Sequence, residues 1–562
     1  MTKSIRRGIQ GALVVLLLSL AGCGGGSSNS SSPAPTPPPP TPPPPPPTPT
    51  LDPEYRVTAS SPFASNCEGV AISGTVAVNS EVEPHFALDP GNPQRYFGAW
   101  QQDRRTSGGA RALGVGVSND GGQTWSRSFP AFSRCAGGDA DNGGDYERTS
   151  DPWVAVSPDG TAYVISISFN GAALMPGSDT SVLVSRSIDG GETWGPPTTL
   201  VLEGDVAFHD KQTITADPLD SRFIYAVWDR IAIDNTGPTW FTRSIDGGES
   251  WEPARPIYDP GVNSQTIGNI IVVLPNGTLV NFYTHIDVAA NGATSAWLDL
   301  IRSTDNGVSW SSPIRIASEL TVGTVDPETG ARVRDGTLVP TVAVAADGKL
   351  YAAWQDSRFS NGNHDSIAVA HSSDGGLTWS DPLRANGDPT VAAFLPALNV
   401  RADGMIGLSY FDLRSNTSDA NTLYTDIWLA RSTDAVNWQE SQVSGPFDLS
   451  RAPQAAWGNG LAYFLGDYQG LGSSGSTFIP FYARTTGEGN GNRTDVFAAP
   501  AVSVTTSYAT MASELRAKGP ATAIESQPLV INPEFRRRVS ENIQAKMEIR
   551  MPGRPRDEAG QD

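Results

Sequence analysis

Aromatic, acidic and basic residues recur together in short runs: Trp100-Gln-Gln-Asp103-Arg104-Arg105, Trp228-Asp229-Arg230, Trp354-Gln-Asp356-Ser-Arg358, Phe411-Asp412-Leu-Arg414 and Tyr482-Ala-Arg484. A planar guanidinium grips a carboxylate through two parallel hydrogen bonds, so several arginines aimed at one point would hold an anionic ligand. A plainer reading has each Asp pair with its own Arg and tie down its loop. A second set holds groups able to exchange protons: Glu83 and His85, Arg148 and Asp151, His209-Asp210-Lys211, Tyr283 and His285, and Asp467-Tyr468. The alternating carboxylates of Asp139-Ala-Asp141-Asn-Gly143-Gly-Asp145 suit a hard cation such as Ca²⁺, but they lack a downstream bidentate Glu, and a solvated acidic loop is the competing reading. No cofactor is required by any motif, and there is no zinc spacing, phosphate-cradling Gly-Lys-Ser/Thr loop or serine-hydrolase elbow.

These residues are far apart in the chain, and only a repeated scaffold brings such runs together. One unit recurs: Ser118-Asn-Asp120-Gly-Gly122-Gln-Thr124-Trp125, then copies around Asp189, Asp246, Asp305 and Asp374, and a shortened Ser432-Thr-Asp434-Ala-Val-Asn-Trp438 without the glycine. The aspartates at 120, 189, 246, 305, 374 and 434 are spaced for one four-stranded sheet plus loops per unit. Within the unit, the Asp carboxylate accepts turn N–H groups, Gly supplies positive φ, the hydroxyls bond locally and Trp fills the space between neighbouring sheets. Upstream of each box lie two short strands around a turn, such as Trp153 to Val156 and Ala162 to Ile165 flanking Ser157-Pro-Asp-Gly160.

The box resembles the Asp-box, or bacterial neuraminidase repeat, of the sialidase superfamily, over about residues 80–500. The resemblance implies an all-β propeller whose boxes sit on the face opposite the active site, so the box aspartates are structural. Sialidases proper have six blades. Here the strands after Gly466 lack a fourth partner that the Tyr55 to Val78 segment can supply, which favours seven blades over a six-bladed ring with appended strands. In such a ring, loops entering each first strand and loops joining second to third strands converge at one mouth.

By the same resemblance, Arg230, Arg358 and Arg414 are candidates for the arginines that hold the carboxylate of sialic acid, with Arg104, His209 and Lys211 as further substrate-binding residues. Tyr468 beside Asp467 is the candidate nucleophile, because a neutral phenol better tolerates attack on a centre that already carries a carboxylate. Asp151 and Asp210 are the candidate acids, Asp210 with Lys211 beside it. The Arg-Ile-Pro segment of sialidases is absent, and Arg255-Pro256 is no substitute. Two functions therefore compete, a sialidase-like glycoside hydrolase and a non-catalytic propeller that binds a glycan or protein.

The ends carry separate signals. Lys3, Arg6 and Arg7 precede an apolar run from Ala12 to Ala21, which fits a signal peptide and is too short for a permanent span. Leu20-Ala21-Gly22-Cys23 resembles a bacterial lipobox that would lipidate Cys23, and Gly24 leans toward the outer membrane. Residues 1–23 thus read as leader, 24–52 as a Ser/Pro-rich polyproline spacer, 53–504 as propeller and 505–562 as a tail. In an oxidising compartment Cys67 and Cys135 are expected to pair. A net charge of −20 argues against nucleic acid or anionic lipid as partner, so membrane attachment rests on the lipid alone. In the tail, Asn532-Pro533-Glu534 starts a helix with Phe535, Val539, Ile543 and Met547 along one stripe, either packed on the propeller or free for a partner.

Overall fold

Each repeat folds into four antiparallel strands because runs of apolar and β-branched residues are cut at short intervals by Asp, Asn, Gly and Pro turns. The computed structural model describes residues 51–487, 493–501, 529 and 531–550. The leader, Cys23, the proline spacer up to Thr50 and most of the stretch between 502 and 530 lie outside the described residues.

Among the described residues, seven four-stranded units follow one another, with innermost strands Glu81–Leu88, Arg148–Val156, Ala207–Ala216, Ser264–Val273, Thr341–Val344, Ala393–Val400 and Gly470–Ser474. Each innermost strand touches the next, and Gly470–Ser474 touches Glu81–Leu88, which closes the cycle. The last unit is completed from the other end of the chain, where Tyr55–Arg56 pairs antiparallel with Phe497 and Ala498. Both sheet edges of the ring are thereby removed. Second strands such as Tyr96–Arg104 are buried along their whole length, since both faces pack between neighbouring sheets. Cys67 and Cys135 are disulfide-bonded with Cα atoms 4.9 Å apart, tying the segment before the first sheet to the loop before the second.

The boxes act as hairpin staples. In the first, Asp120 accepts the Thr124 N–H at 2.9 Å and the Thr124 hydroxyl at 2.6 Å, while the Ser118 hydroxyl accepts the Gly122 N–H at 2.8 Å. Gly121 and Gly122 adopt φ of 74° and 91°, where a side chain would be strained. These hydrogen bonds hold the Asp120 carboxyl down at about 2. In the shortened box Ala435 takes φ 59° itself, and its methyl is buried in the neighbouring core, which offsets part of that strain. Asp120→Ala is expected to cost about 1–2 kcal/mol in urea denaturation, the usual loss for a multiply hydrogen-bonded turn group, without altering any ligand binding at the opposite face.

Two long connections leave the ring and meet. Thr324–Val325 and Arg332–Arg334, which precede the fifth unit, form a small sheet with Gln454–Trp457 and Gly460–Phe464, which precede the seventh. The C-terminal helix, Pro533–Arg550, starts with Asn532 accepting the Phe535 N–H at 2.8 Å. Its residues Phe535, Val539 and Ile543 pack on Ile267, Ile286, Ala296, Val322 and Leu338.

Candidate axial site

The innermost strands carry a β-bulge at corresponding places, between Val82 and His85, Ser150 and Trp153, and Asp210 and Thr213, and again in the fourth and sixth units. A bulge inserts an extra residue and re-aims its side chain. The inserted residues Glu83, Asp151 and Lys211 have φ of 54°, 56° and 50°, whereas Gly268 and Leu395 hold the corresponding places opposite. At three of these bulges the residue held in the left-handed region is charged and is turned toward the axis.

Lys211 Nζ lies 2.9 Å from Asp151 Oδ2, 2.8 Å from Asp467 Oδ2 and 3.4 Å from Glu83 Oε1. Arg334, from the small sheet, binds Asp467 with Nη2 at 2.6 Å and Nε at 3.2 Å. Lys546, from the C-terminal helix, reaches the other side of the same carboxylate, with Nζ 2.8 Å from Asp467 Oδ1. Gln101 donates to Glu83 and, at 3.0 Å, to Ser150 Oγ, and it accepts from Arg104 Nη1 at 2.7 Å. Arg104 and Arg334 both lie over the Phe464 ring, at 4.9 and 4.6 Å. All of these charged side chains are buried.

Burial pushes the Glu83 carboxyl up to about 8, and the adjacent Asp151 charge adds to the effect. Burial acts on Asp151 too, but Lys211 and the hydrogen bond with Glu83 outweigh it and hold Asp151 below the ordinary carboxylate range. Asp467 is held well below that range because Arg334, Lys211 and Lys546 together overcome its burial. At neutral pH, Glu83 therefore keeps its proton while Asp151 and Asp467 are ionised. Against those two charges, with Asp210 beside Lys211, stand Arg104, Lys211, Arg334 and Lys546, the last pushed down by its burial. Among the described residues Arg104 has no carboxylate partner, and its Nε has no hydrogen-bond acceptor.

The residues nominated from the sequence divide into two sets. Asp151, Lys211, Asp467, Tyr468 and Arg104 meet on the axis, and Asp210, next to Lys211, turns Oδ1 to the Lys211 backbone N–H at 3.1 Å. Tyr468 is not arranged as an activated nucleophile. Its hydroxyl donates to the Pro152 carbonyl at 2.9 Å, and burial with the nearby carboxylates of Glu83 and Asp151 pushes its pKa well up. Arg230, Arg358 and Arg414 do not join the axial group. Arg358 is bound by Asp356 at 2.7 and 2.8 Å, Arg414 by Asp412 at 2.6 Å and by Glu440, and Arg230 by Glu203 at 2.6 and 2.8 Å. Here the plainer reading of the aromatic-Asp-Arg runs describes the geometry, except that Arg230 uses a glutamate of the preceding unit. His209 is likewise structural, accepting from Trp228 Nε1 at 3.0 Å on Nδ1, with burial pushing it down to about 4.

Arg334 and Lys546 escaped the sequence reading. The length of the connection from Glu319 to Pro340 was a signal for the first. For the second, Asn542 and Lys546 lie at spacing three and seven from Val539, on the apolar face, and both are buried. The Asp139 to Asp145 loop closes on itself: Asp139 Oδ1 accepts the N–H groups of Asp141 and Asn142 at 3.0 and 2.9 Å, and Asp145 pairs with Arg134 at 2.6 Å.

No protein-family model and no curated protein matches the chain. Among solved structures it is similar to a protein of unknown function from Dyadobacter fermentans (14% identity, 80% of this chain and 98% of that one covered, TM-score 0.41). It is also similar to the Penicillium chrysogenum alpha-L-arabinanase complexed with arabinobiose (13%, 80% and 99%, 0.42) and to the Trypanosoma rangeli sialidase in complex with the inhibitor DANA (13%, 64% and 56%, 0.40). Likenesses this distant carry no activity over, and the all-β propeller-type fold rests on the strand pairing and the closed cycle of innermost strands.

Proposed function

We propose that this chain is a seven-bladed, glycan-acting propeller of the bacterial envelope, anchored through Cys23 on the outer membrane, and that its chemistry belongs to the axial group. The observation that carries the reading is the buried Glu83–Asp151 carboxyl pair beside Lys211, in which burial pushes Glu83 up and Lys211 holds Asp151 down. Environments that push two carboxyls apart in this way set up a group that can donate a proton and take it back, as cleavage of a glycosidic bond requires. Arg104, which is buried and among the described residues forms no salt bridge, suits a sugar that bears a carboxylate.

The test is hydrolysis of a fluorogenic sialoside and a panel of neutral and acidic glycosides by the purified protein. Turnover is expected to fall at least 100-fold in Asp151→Asn. Retention of full activity in that variant would exclude the carboxyl pair from the chemistry. A second reading, a non-catalytic glycan-binding propeller, is favoured by the locked Arg230, Arg358 and Arg414 and by the Tyr468 hydroxyl held on Pro152. It predicts acidic-glycan binding with no turnover of any substrate.

A further inference from the structure

The C-terminal helix stands on the mouth of the ring. Its polar bonds go to loops joining second and third strands: Arg538 donates to the carbonyls of Gly362 and Asn363, Gln544 to that of Gly292 at 2.8 Å, and Thr294 to Ser540 at 2.9 and 3.0 Å. Asn542 lies against the hydroxyls of Thr321 and Thr337 at 3.3 and 3.5 Å. Lys546 then passes Trp457, with Nζ 5.9 Å from the ring centroid, and ends on Asp467.

Closure of the ring does not use this helix. Tyr55–Arg56 closes the last sheet, and 29 residues separate Ala501 from Ile531 in the sequence. The charge pattern points the same way. Asp467 keeps Lys211 and Arg334 when Lys546 leaves, so withdrawal strands no buried carboxylate, and it removes one of four cations crowded around two ionised acids. An 18-residue helix with three deeply buried apolar side chains is also marginal by itself and relies on docking for its stability.

We propose that the C-terminal helix is a detachable plug that inserts Lys546 into the axial group and keeps it closed to ligand, a role that rests on the axial group being the functional site. Docked, the helix excludes the glycan; undocked, it uncovers the Asp467 carboxylate that Lys546 holds, beside which Lys211 and Tyr468 lie. By linkage, ligand on the axial group loosens the helix to the same degree.

The test uses the full chain, wild type and Val539→Asp, whose buried carboxylate disfavours docking. Hydrogen exchange of residues 533–550 reports release, hydroxyl-radical oxidation of Tyr468 read by mass spectrometry reports opening, and buried Trp354 is the control for an intact ring. Release is expected to raise Tyr468 oxidation at least fivefold with Trp354 unchanged, and turnover or glycan binding at least tenfold. Lys546→Met keeps the apolar face and should shift both readouts in the same direction by a smaller factor, even if Val539→Asp fails to fold. A released helix with Tyr468 oxidation at the wild-type level would overturn the plug. Tyr468 opening with neither turnover nor glycan binding would uphold the plug and overturn the glycan reading instead.

Discussion

Asp467→Ala is expected to destabilise the folded chain by about 3–5 kcal/mol in equilibrium urea denaturation, the largest effect of any single substitution on the axis. The reason is that one carboxylate is shared by Arg334, Lys211 and Lys546, all within 2.6–2.8 Å and all buried. Its removal leaves three cations facing one another, with Asp151 alone still paired to Lys211. Asp467→Asn keeps the volume and should recover little, since the charge is what the cations need. In a Lys546→Met background the cost should shrink by about 1 kcal/mol or more, because one stranded cation is then absent. A loss below about 1 kcal/mol for Asp467→Ala would mean that the cations are held by something other than this ion pairing.

A second large effect is a loss of stability with rising pH. Burial pushes Glu83 and Glu319 up to about 8 and Asp365 up to about 7, with Asp151 adding to the first and Asp335 to the last. In the unfolded chain the same groups ionise near 4. Between those values the folded chain keeps protons that the unfolded chain has released, so stability is full below the unfolded values and falls as pH rises through 7 to 8. Each group contributes roughly 1 kcal/mol per pH unit, and unfolding free energies from urea denaturation at pH 6 and pH 9 should differ by several kcal/mol in total. Glu83→Gln, which stays neutral at all pH, should flatten the profile by one group's share. An unchanged profile in that variant would place the Glu83 proton elsewhere.

How much was legible in the sequence depends on what kind of residue carried the information. Box residues are local: Ser, Asp, Gly and Thr within one turn bond one another, so Asp120 and Thr124 announce their own geometry. Glu83-Pro84 and Asp151-Pro152 also carried a local clue, since proline lacks the N–H that a ladder position needs and tolerates a bulge. That the positive φ at these bulges turns Glu83, Asp151 and Lys211 toward one point depends on how neighbouring sheets pack and left no pattern along the chain. Arginine runs misled for a related reason. A guanidinium beside an aspartate satisfies the same sequence pattern whether it points to a ligand or folds back, and in Arg358 and Arg414 the adjacent carboxylate wins at 2.6–2.7 Å.

The sequence by itself determined the strand-turn repeat, its period, the Ser-Asp-Gly-Trp turn staples and the presence of a helix after the last strand, because each is written in residues close together in the chain. Only the tertiary structure decided that Tyr55–Arg56, within the segment the sequence nominated, is the strand that completes the last sheet, that Arg334 and Lys546 reach Asp467, and that the helix stands over the axial group. Those outcomes join residues up to several hundred positions apart, and the physical cause is common to them: buried charges must find partners wherever the closed ring places them, whatever their distance along the chain.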